Sequence, residues 1–145
     1  MNHENLTKLY EVHESENSIY LIMEYITSQT LRSVIKRKHL YHLQGDLQDI
    51  QIMKAILSGL SYLSEHNVMH RDLKPDNIVV DSEFNVKIID FGLAAYYNNM
   101  DFLHDRCGTA GYIAPEIFGF KRENPATAYS DRCDVFSVGC IFFQL

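Results

Sequence analysis

The sequence predicts an α+β fold, and three observations carry that expectation. Two β-like runs, "LTKLYEVHE" and "SIYLIMEYI", open the chain around the turn-prone "SENS". From Asp49 to about His66, the residues Ile52, Met53, Ile56, Leu57, Leu60 and Leu63 recur at helical spacing. Farther on, "NIVVD" and "NVKIID" are separated only by "SEF", the pattern of a β-hairpin.

Taken in order, the opening strand pair is too small to be stable alone and requires neighbours. "TLRSVIKRKHL" reads as a short amphipathic helix. Its basic end, Lys36-Arg37-Lys38-His39, reads as a solvated helix terminus and not as a nucleic-acid patch. In the long helix that follows, Asp49 sits where an acid complements the helix dipole. The stretch from Gly92 to about Gly111 shows no periodicity, and loops of that length are usually functional or mobile. The closing "VFSVGCIFFQL" is the most apolar segment and reads as a core helix cut off partway. No internal repeat or low-complexity segment interrupts the order.

Composition narrows the function classes. With 145 residues, 46% hydrophobic and 22% charged, the chain is neither disordered nor fibrous, and it fits one domain or part of a larger one. A formal net charge of -6 argues against a nucleic-acid partner held by general electrostatics. Cys107, Cys133 and Cys140 have neither metal-ligand spacing nor a disulfide framework, so they read as reduced thiols of an intracellular protein, in cytoplasm or nucleus. The N-terminal "MNHENLTKLYEVHE" lacks the apolar core of a signal peptide. No apolar run approaches the roughly 20 residues that cross a bilayer, so no membrane partner is expected.

The densest chemistry lies in "HRDLKPDN" at residues 70–77. Asn77 stands just before the first strand of the predicted hairpin and Asp90 just after the second. An antiparallel pair returns the end of one strand to the start of the other, so an amide oxygen and a carboxylate face one point in space. Oxygen donors of that kind suit Mg²⁺, which accepts few protein groups beside waters and substrate phosphates. Asp72 is free to accept a proton from a hydroxyl, and Lys74 can neutralise a transferring phosphoryl group. Phosphoryl transfer asks for positioning and charge compensation more than for covalent help.

These motifs carry a resemblance. "HRDLKPDN" resembles the catalytic loop of eukaryotic protein kinases, "DFG" at 90–92 their magnesium-binding triplet, and "APE" at 114–116 the end of their activation segment. "HENLTKLYEV", "LIMEY" and "DVFSVG" also look like the strand after the regulatory helix, the hinge and the central C-lobe helix. Their order agrees throughout, so the resemblance covers essentially the whole chain. It implies an incomplete protein-kinase-like fold: residues 1–26 as the end of the N-lobe and the hinge, residues 27–145 as the first part of a mainly helical C-lobe. It implies ATP and Mg²⁺ as cofactors and a protein substrate with a Ser or Thr acceptor. Asp72 would then orient and deprotonate the hydroxyl, Lys74 would contact the γ-phosphate, and Asn77 and Asp90 would hold magnesium.

The resemblance extends to supporting positions. Glu24 and Ile26 would offer backbone groups to adenine, with Met23 behind it and Val79 beneath. Lys74 with Thr109 in "GTAGYIAPE" looks like the serine/threonine branch of the family. Asp134 would receive backbone N–H groups of the catalytic loop or cap its own helix, two roles that can coexist. Leu9, His70 and Phe91 would stack in the internal spine of the family. Phe136 and Ala110 replace a usual Trp and a common Pro, and Thr30 replaces the acid that often binds ribose. No Ser or Thr lies between Gly92 and Gly108, and counting back from "CGT" puts Asp105 where many members carry a phosphorylated Thr. Asp105 would supply a fixed charge to Arg71, weaker than a phosphate of about -1.5 to -2. Tyr96 and Tyr97 are further candidate phosphorylation sites.

No glycine-rich phosphate loop, "VAIK"-like lysine or regulatory-helix Glu occurs in the sequence. Two readings follow. The chain is a stretch of a protein serine/threonine kinase that is inactive by itself, or it is a truncated, non-catalytic interaction module of the same fold. In either case an incomplete sheet and an uncovered helix predict poor stability for the isolated chain.

Overall fold

The structure, a computed structural model, describes residues 2–41, 46–98, 103, 107–121 and 123–145. Its elements run β1 (Leu9–Ser15), β2 (Ser18–Met23), β3 (Gln29–Thr30), α1 (Leu31–Tyr41), α2 (Asp46–Glu65), β4 (Val68–Met69), β5 (Ile78–Val80), β6 (Val86–Ile88), β7 (Ala95–Tyr96), α3 (Pro115–Gly119) and α4 (Arg132–Phe142). The strands form three small antiparallel sheets, β1-β2, β3-β5-β6 and β4-β7. The α+β class is therefore as expected.

The body is built on α2. Ile52, Ile56, Leu60 and Leu63 are buried along one face against Leu6, Val86 and Ile88 of the strand side and Val138 and Ile141 of α4. Gly59 lets the backbones approach, because a Cβ there would stand 3.1 Å from both Ile88 Cδ1 and Leu6 Cδ2. The helical stripe read from the sequence holds except at Leu57, which is exposed. One residue past Ile56 turns its side chain about 100° away from the core face.

Helix α2 begins at Asp46, before the expected start, and Asp49 sits in its first turn. There its carboxylate pairs with Lys38 of α1, and Lys38 Nζ also donates to the Leu145 carbonyl at 3.2 Å. Lys38 is buried, which corrects the reading of Lys36–His39 as a wholly solvated terminus. Only its neighbours Lys36, Arg37 and His39 are exposed. An ammonium taken from water demands this partner, and the partner comes from a different helix.

The hairpin β5–β6 forms with Ile78↔Ile88, Val79↔Lys87 and Val80↔Val86 in register. Asp81 closes its turn: the carboxylate takes the N–H groups of Glu83 at 2.8 Å and Asn85 at 2.9 Å, and Phe84 adopts φ 64°. Residues 5–7 run parallel to β6, with Thr7 N–H on the Ile88 carbonyl at 3.0 Å and Ile88 N–H on the Asn5 carbonyl at 2.8 Å.

The opening hairpin β1–β2 pairs from Leu9↔Met23 to Ser15↔Ser18, with a bulge between Leu9 and Glu11. Both of its faces are exposed along its whole length, because nothing among the described residues packs on either one. Leu9, expected in an internal stack, is 47% exposed. Two strands alone have no second layer to bury against. In α4, too, only one face is buried, while Val135, Phe136 and Phe142 are exposed. Strands β3 and β7 and helix α3 were not foreseen from periodicity; β3 and β7 are two residues long and owe their form to the strands they pair with.

The core assignment is testable by chemical denaturation of a protein carrying this chain. Ile56→Ala should lose about 2–5 kcal/mol, whereas Leu57→Ala, one residue on, should stay within about 0.5 kcal/mol of the parent.

Candidate active site

The loop after β4 is shaped from below by one buried carboxylate. Asp134, in the first turn of α4, accepts the backbone N–H of His70 at 2.6 Å and that of Arg71 at 2.8 Å. The helix N-cap is Asp131, which makes no side-chain cap bond, so Asp134 takes the loop-supporting role foreseen for it. Burial pushes its carboxyl above the ordinary range; the nearby His70 ring and the two N–H donors oppose that rise. Held by Asp134, Arg71 adopts the left-handed conformation, φ 66°. The His70 ring is fixed from both sides: Nε2 donates to the Ile89 carbonyl at 3.0 Å and Nδ1 accepts the Asp72 N–H at 3.3 Å. Phe91 packs on it with ring centroids 4.9 Å apart, so this pair stacks as expected and Leu9 does not join it.

Asp72 stands at the centre of a polar cluster. Its Oδ2 accepts Lys74 Nζ at 2.7 Å and Asn77 Nδ2 at 3.0 Å, and its Oδ1 accepts the Thr109 hydroxyl at 2.6 Å. Lys74 Nζ also donates to Thr109 Oγ1 at 2.7 Å. Burial alone would raise the Asp72 carboxyl, but the bonds from Lys74, Thr109 and Asn77 outweigh it and hold the group below the ordinary carboxylate range. It is therefore ionised at neutral pH.

The hairpin brings the two oxygen donors to one end, as the sequence suggests. Asn77 directly precedes Ile78, whose partner is Ile88, and the Asn77 carbonyl accepts the Ile89 N–H at 2.9 Å. Both amide hydrogens of Asn77 point at Asp72, one bond running to the backbone carbonyl at 2.9 Å and one to the carboxylate. That fixes the amide and leaves its oxygen without a partner among the described residues. No buried side-chain oxygen among the described residues lacks a partner, so this oxygen reaches solvent. Asp90, at φ 63°, is exposed; its Oδ1 accepts the Gly92 N–H at 3.2 Å, and its other oxygen has no partner among the described residues. An amide oxygen and one carboxylate oxygen, both open, form a donor set that fits Mg²⁺.

The expected nucleotide-side residues line up differently. The Glu24 N–H bonds to the Lys8 carbonyl at 2.8 Å, and its side chain pairs with Lys87 of β6 at 3.0 Å. Lys87 is the cross-strand partner of Val79, so Val79 and Glu24 share one side of the β5–β6 hairpin. Val79 is nearly buried, Ile26 half-buried, and Met23 exposed at the end of β2.

Arg71 is buried, with Nε donating to the Leu93 carbonyl at 2.6 Å and Nη1 to the Tyr129 hydroxyl at 3.2 Å. Asp105, its expected partner, lies outside the described residues. Tyr129 is the contact that sequence reasoning missed, and a separation of 58 residues offers no local signal for it. Gly108 packs on the same loop at φ 104°, and a Cβ there would stand 2.8 Å from the Arg71 carbonyl.

A profile described as "Protein kinase domain" matches residues 1–145. The chain belongs to the protein kinase family. It is 36% identical over 150 residues to calcium-dependent protein kinase 4 of Plasmodium falciparum (isolate 3D7), covering 100% of this chain and 26% of that protein. It is 36% identical over 146 residues to the SNF1-related protein kinase catalytic subunit alpha KIN12 of Arabidopsis thaliana, covering 99% and 27%. Against the serine/threonine-protein kinase cds1 of Schizosaccharomyces pombe the identity is 33% over 147 residues, covering 100% and 31%. This kinase chain thus spans about a quarter to a third of the length of those relatives. Its fold is similar to a solved structure of the yeast RNA Pol II CTD kinase CTDK-1 complex, with a TM-score of 0.77, 30% identity, and 98% of this chain and 44% of that one covered.

Two measurements check the site. Gly108→Ala should destabilise by about 1–3 kcal/mol through backbone strain at positive φ. Gly119→Ala, where nothing stands within 4 Å, should not, as read by thermal melting. For Asp72, the lowered carboxyl means its contribution to stability is in place above the unfolded value of about 3.9 and is lost as pH falls through the folded one. Its side-chain carbon resonance should therefore still report a carboxylate at pH values where exposed aspartates have protonated.

Proposed function

We propose that a protein carrying this chain transfers the γ-phosphoryl group of ATP, with Mg²⁺, to Ser or Thr hydroxyls of protein substrates. The observation that carries this reading is the cluster at Asp72, in which one carboxylate, one ammonium and one hydroxyl meet within 2.7 Å of each other. In the step, the acceptor oxygen forms a bond to phosphorus, the bond from phosphorus to the ADP leaving oxygen breaks, and the acceptor proton passes to Asp72. Asp72, held below its ordinary pKa, is a weak base whose main work is orientation, which suits a loose transition state. Lys74 places its ammonium between Asp72 and the transferring group and compensates charge there. Thr109 holds both side chains in register. Asn77 and Asp90 are the residues that would hold the metal, which when bound neutralises phosphate charge. Glu24, Ile26, Met23 and Val79 would seat the adenine.

The Ser/Thr assignment rests on Lys74 and Thr109 and on the similarity to the serine/threonine-protein kinase cds1. The lid that covers phosphates in the family has no counterpart in this sequence, so residues 1–145 alone should not turn over. The three free thiols support placing the protein in cytoplasm or nucleus. No described helix is long and apolar enough to cross a membrane.

Radiolabelled phosphate transfer to a panel of protein acceptors tests the reading. Asp72→Asn should lower kcat about 10²–10⁴-fold while the protein stays folded, with only a small fall in melting temperature from the lost carboxylate bonds. Asp90→Asn should leave only residual transfer and shift its Mg²⁺ requirement to higher concentration. Wild-type-like transfer by either variant would sink the assignment.

A further inference from the structure

Arg32, at the second position of α1, makes a set of bonds that the reaction above does not use. Its Nε lies 3.2 Å from Asp76 Oδ2 and 3.4 Å from Oδ1, and its Nη2 donates to Oδ2 at 2.9 Å. The same Nη2 donates to the Tyr112 hydroxyl at 3.2 Å. Tyr112 passes its own hydrogen to Gln144 Oε1 at 3.0 Å, and Gln144 Nε2 donates to the Cys140 carbonyl at 3.2 Å. The backbone carbonyl of Tyr112 accepts the Ser137 hydroxyl at 2.7 Å.

The place of these partners gives the network its meaning. Asp76 directly precedes Asn77 within the turn Pro75–Asn77. Tyr112 closes a turn onto Thr109, its N–H bonding the Thr109 carbonyl at 3.1 Å. Arg32 therefore ties together the two loops whose tips meet at Asp72, one bearing Lys74 and Asn77, the other bearing Thr109. None of these bonds involves Met23, Glu24, Ile26 or Val79.

The chemistry requires arginine in particular. A hydroxyl has one hydrogen, and Tyr112 gives it to Gln144, so the remaining bond must come from a donor. A planar fork grips a carboxylate with two nitrogens and still directs a further N–H at that hydroxyl; an ammonium would bring only one nitrogen to the carboxylate and lose the forked grip. The pair is also half in water, with side-chain exposures of 44% and 46% for Arg32 and Asp76. Exposed pairs contribute little to global stability, so an effect on loop placement can be separated from unfolding.

We propose that Arg32 is a positioning residue for the protein acceptor: its guanidinium clamps the Thr109–Tyr112 loop onto the catalytic loop and so sets engagement of the acceptor and not of the nucleotide. The clamp rests on the kinase reading given above.

The test compares the whole protein carrying this chain with Arg32→Ala, Arg32→Lys, Tyr112→Phe and the Arg32→Ala/Tyr112→Phe double variant, using one protein acceptor. Arg32→Ala should lower kcat/KM for the acceptor about five- to tenfold, mainly through KM, the size of one exposed charge-assisted hydrogen bond. KM for ATP should stay within about twofold, because the nucleotide side makes no bond to the network. Arg32→Lys should recover only a small part of the loss, Tyr112→Phe should reproduce most of it, and the double variant should be no worse than Arg32→Ala. Wild-type kinetics in Arg32→Ala, equal losses for acceptor and ATP, full rescue by lysine, or additive losses would each overturn the clamp. If the parent protein transfers no phosphate at all, the kinase reading fails instead. Amide exchange then judges the clamp as a contact: faster exchange at residues 109–114 in Arg32→Ala keeps it, and unchanged exchange removes it.

Discussion

The arrangement depends on one buried carboxylate. Asp134 lies under the loop of residues 70–77 with no solvent to stabilise its charge, and two adjacent backbone N–H groups take the place of water. The dependence runs both ways, since His70 and Arg71 are themselves buried and their N–H groups would otherwise be orphans. Satisfying both at once forces Arg71 to positive φ, a conformation that costs a non-glycine residue about 1 kcal/mol or more. From that turn the rest follows: the His70 ring meets the Ile89 carbonyl, and Asp72 emerges opposite Thr109. Helix α4 is therefore a foundation for the loop, and its exposed outer face is separate from that duty.

Within the loop each polar atom has a defined task. Asn77 spends its hydrogens on Asp72 and keeps its oxygen, so one side chain both restrains the Asp72 carboxylate and presents an open oxygen. Lys74 sits between Asp72 and Thr109, which keeps the ammonium from collapsing onto the carboxylate alone. These contacts lower the proton affinity of Asp72 and so exchange basicity for placement. A reaction limited by proton abstraction would be poorly served by that exchange, and one limited by alignment and charge is well served.

What could be read in advance was local. Asn77 and Asp90 flank a short hairpin whose own pattern specifies its register, so their meeting at one end followed from spacing. The stripe Ile52, Ile56, Leu60 and Leu63 followed from helical period. Lys38 could not be placed that way, because its partners Asp49 and Leu145 come from other segments and make an apparently solvated cation a buried one. Tyr129 reaches Arg71 across 58 residues, and strand β7 exists only through its pairing with β4. Leu9 failed for the converse reason: an alternating pattern signals a strand, and whether its face is covered depends on a second layer that periodicity does not describe.

The opening hairpin has a consequence for the order in which the chain consolidates. Its cross-strand bonds, the Glu24–Lys8 backbone bond among them, are internal, and among the described residues its attachment to the body is reduced to the Glu24–Lys87 ion pair and the chain segments on either side. With no apolar side chain anchored beneath it, detaching this ribbon exposes almost nothing new to water, so the opening carries little hydrophobic penalty. The helical body can thus reach its native arrangement while the ribbon is still exchanging between docked and undocked forms.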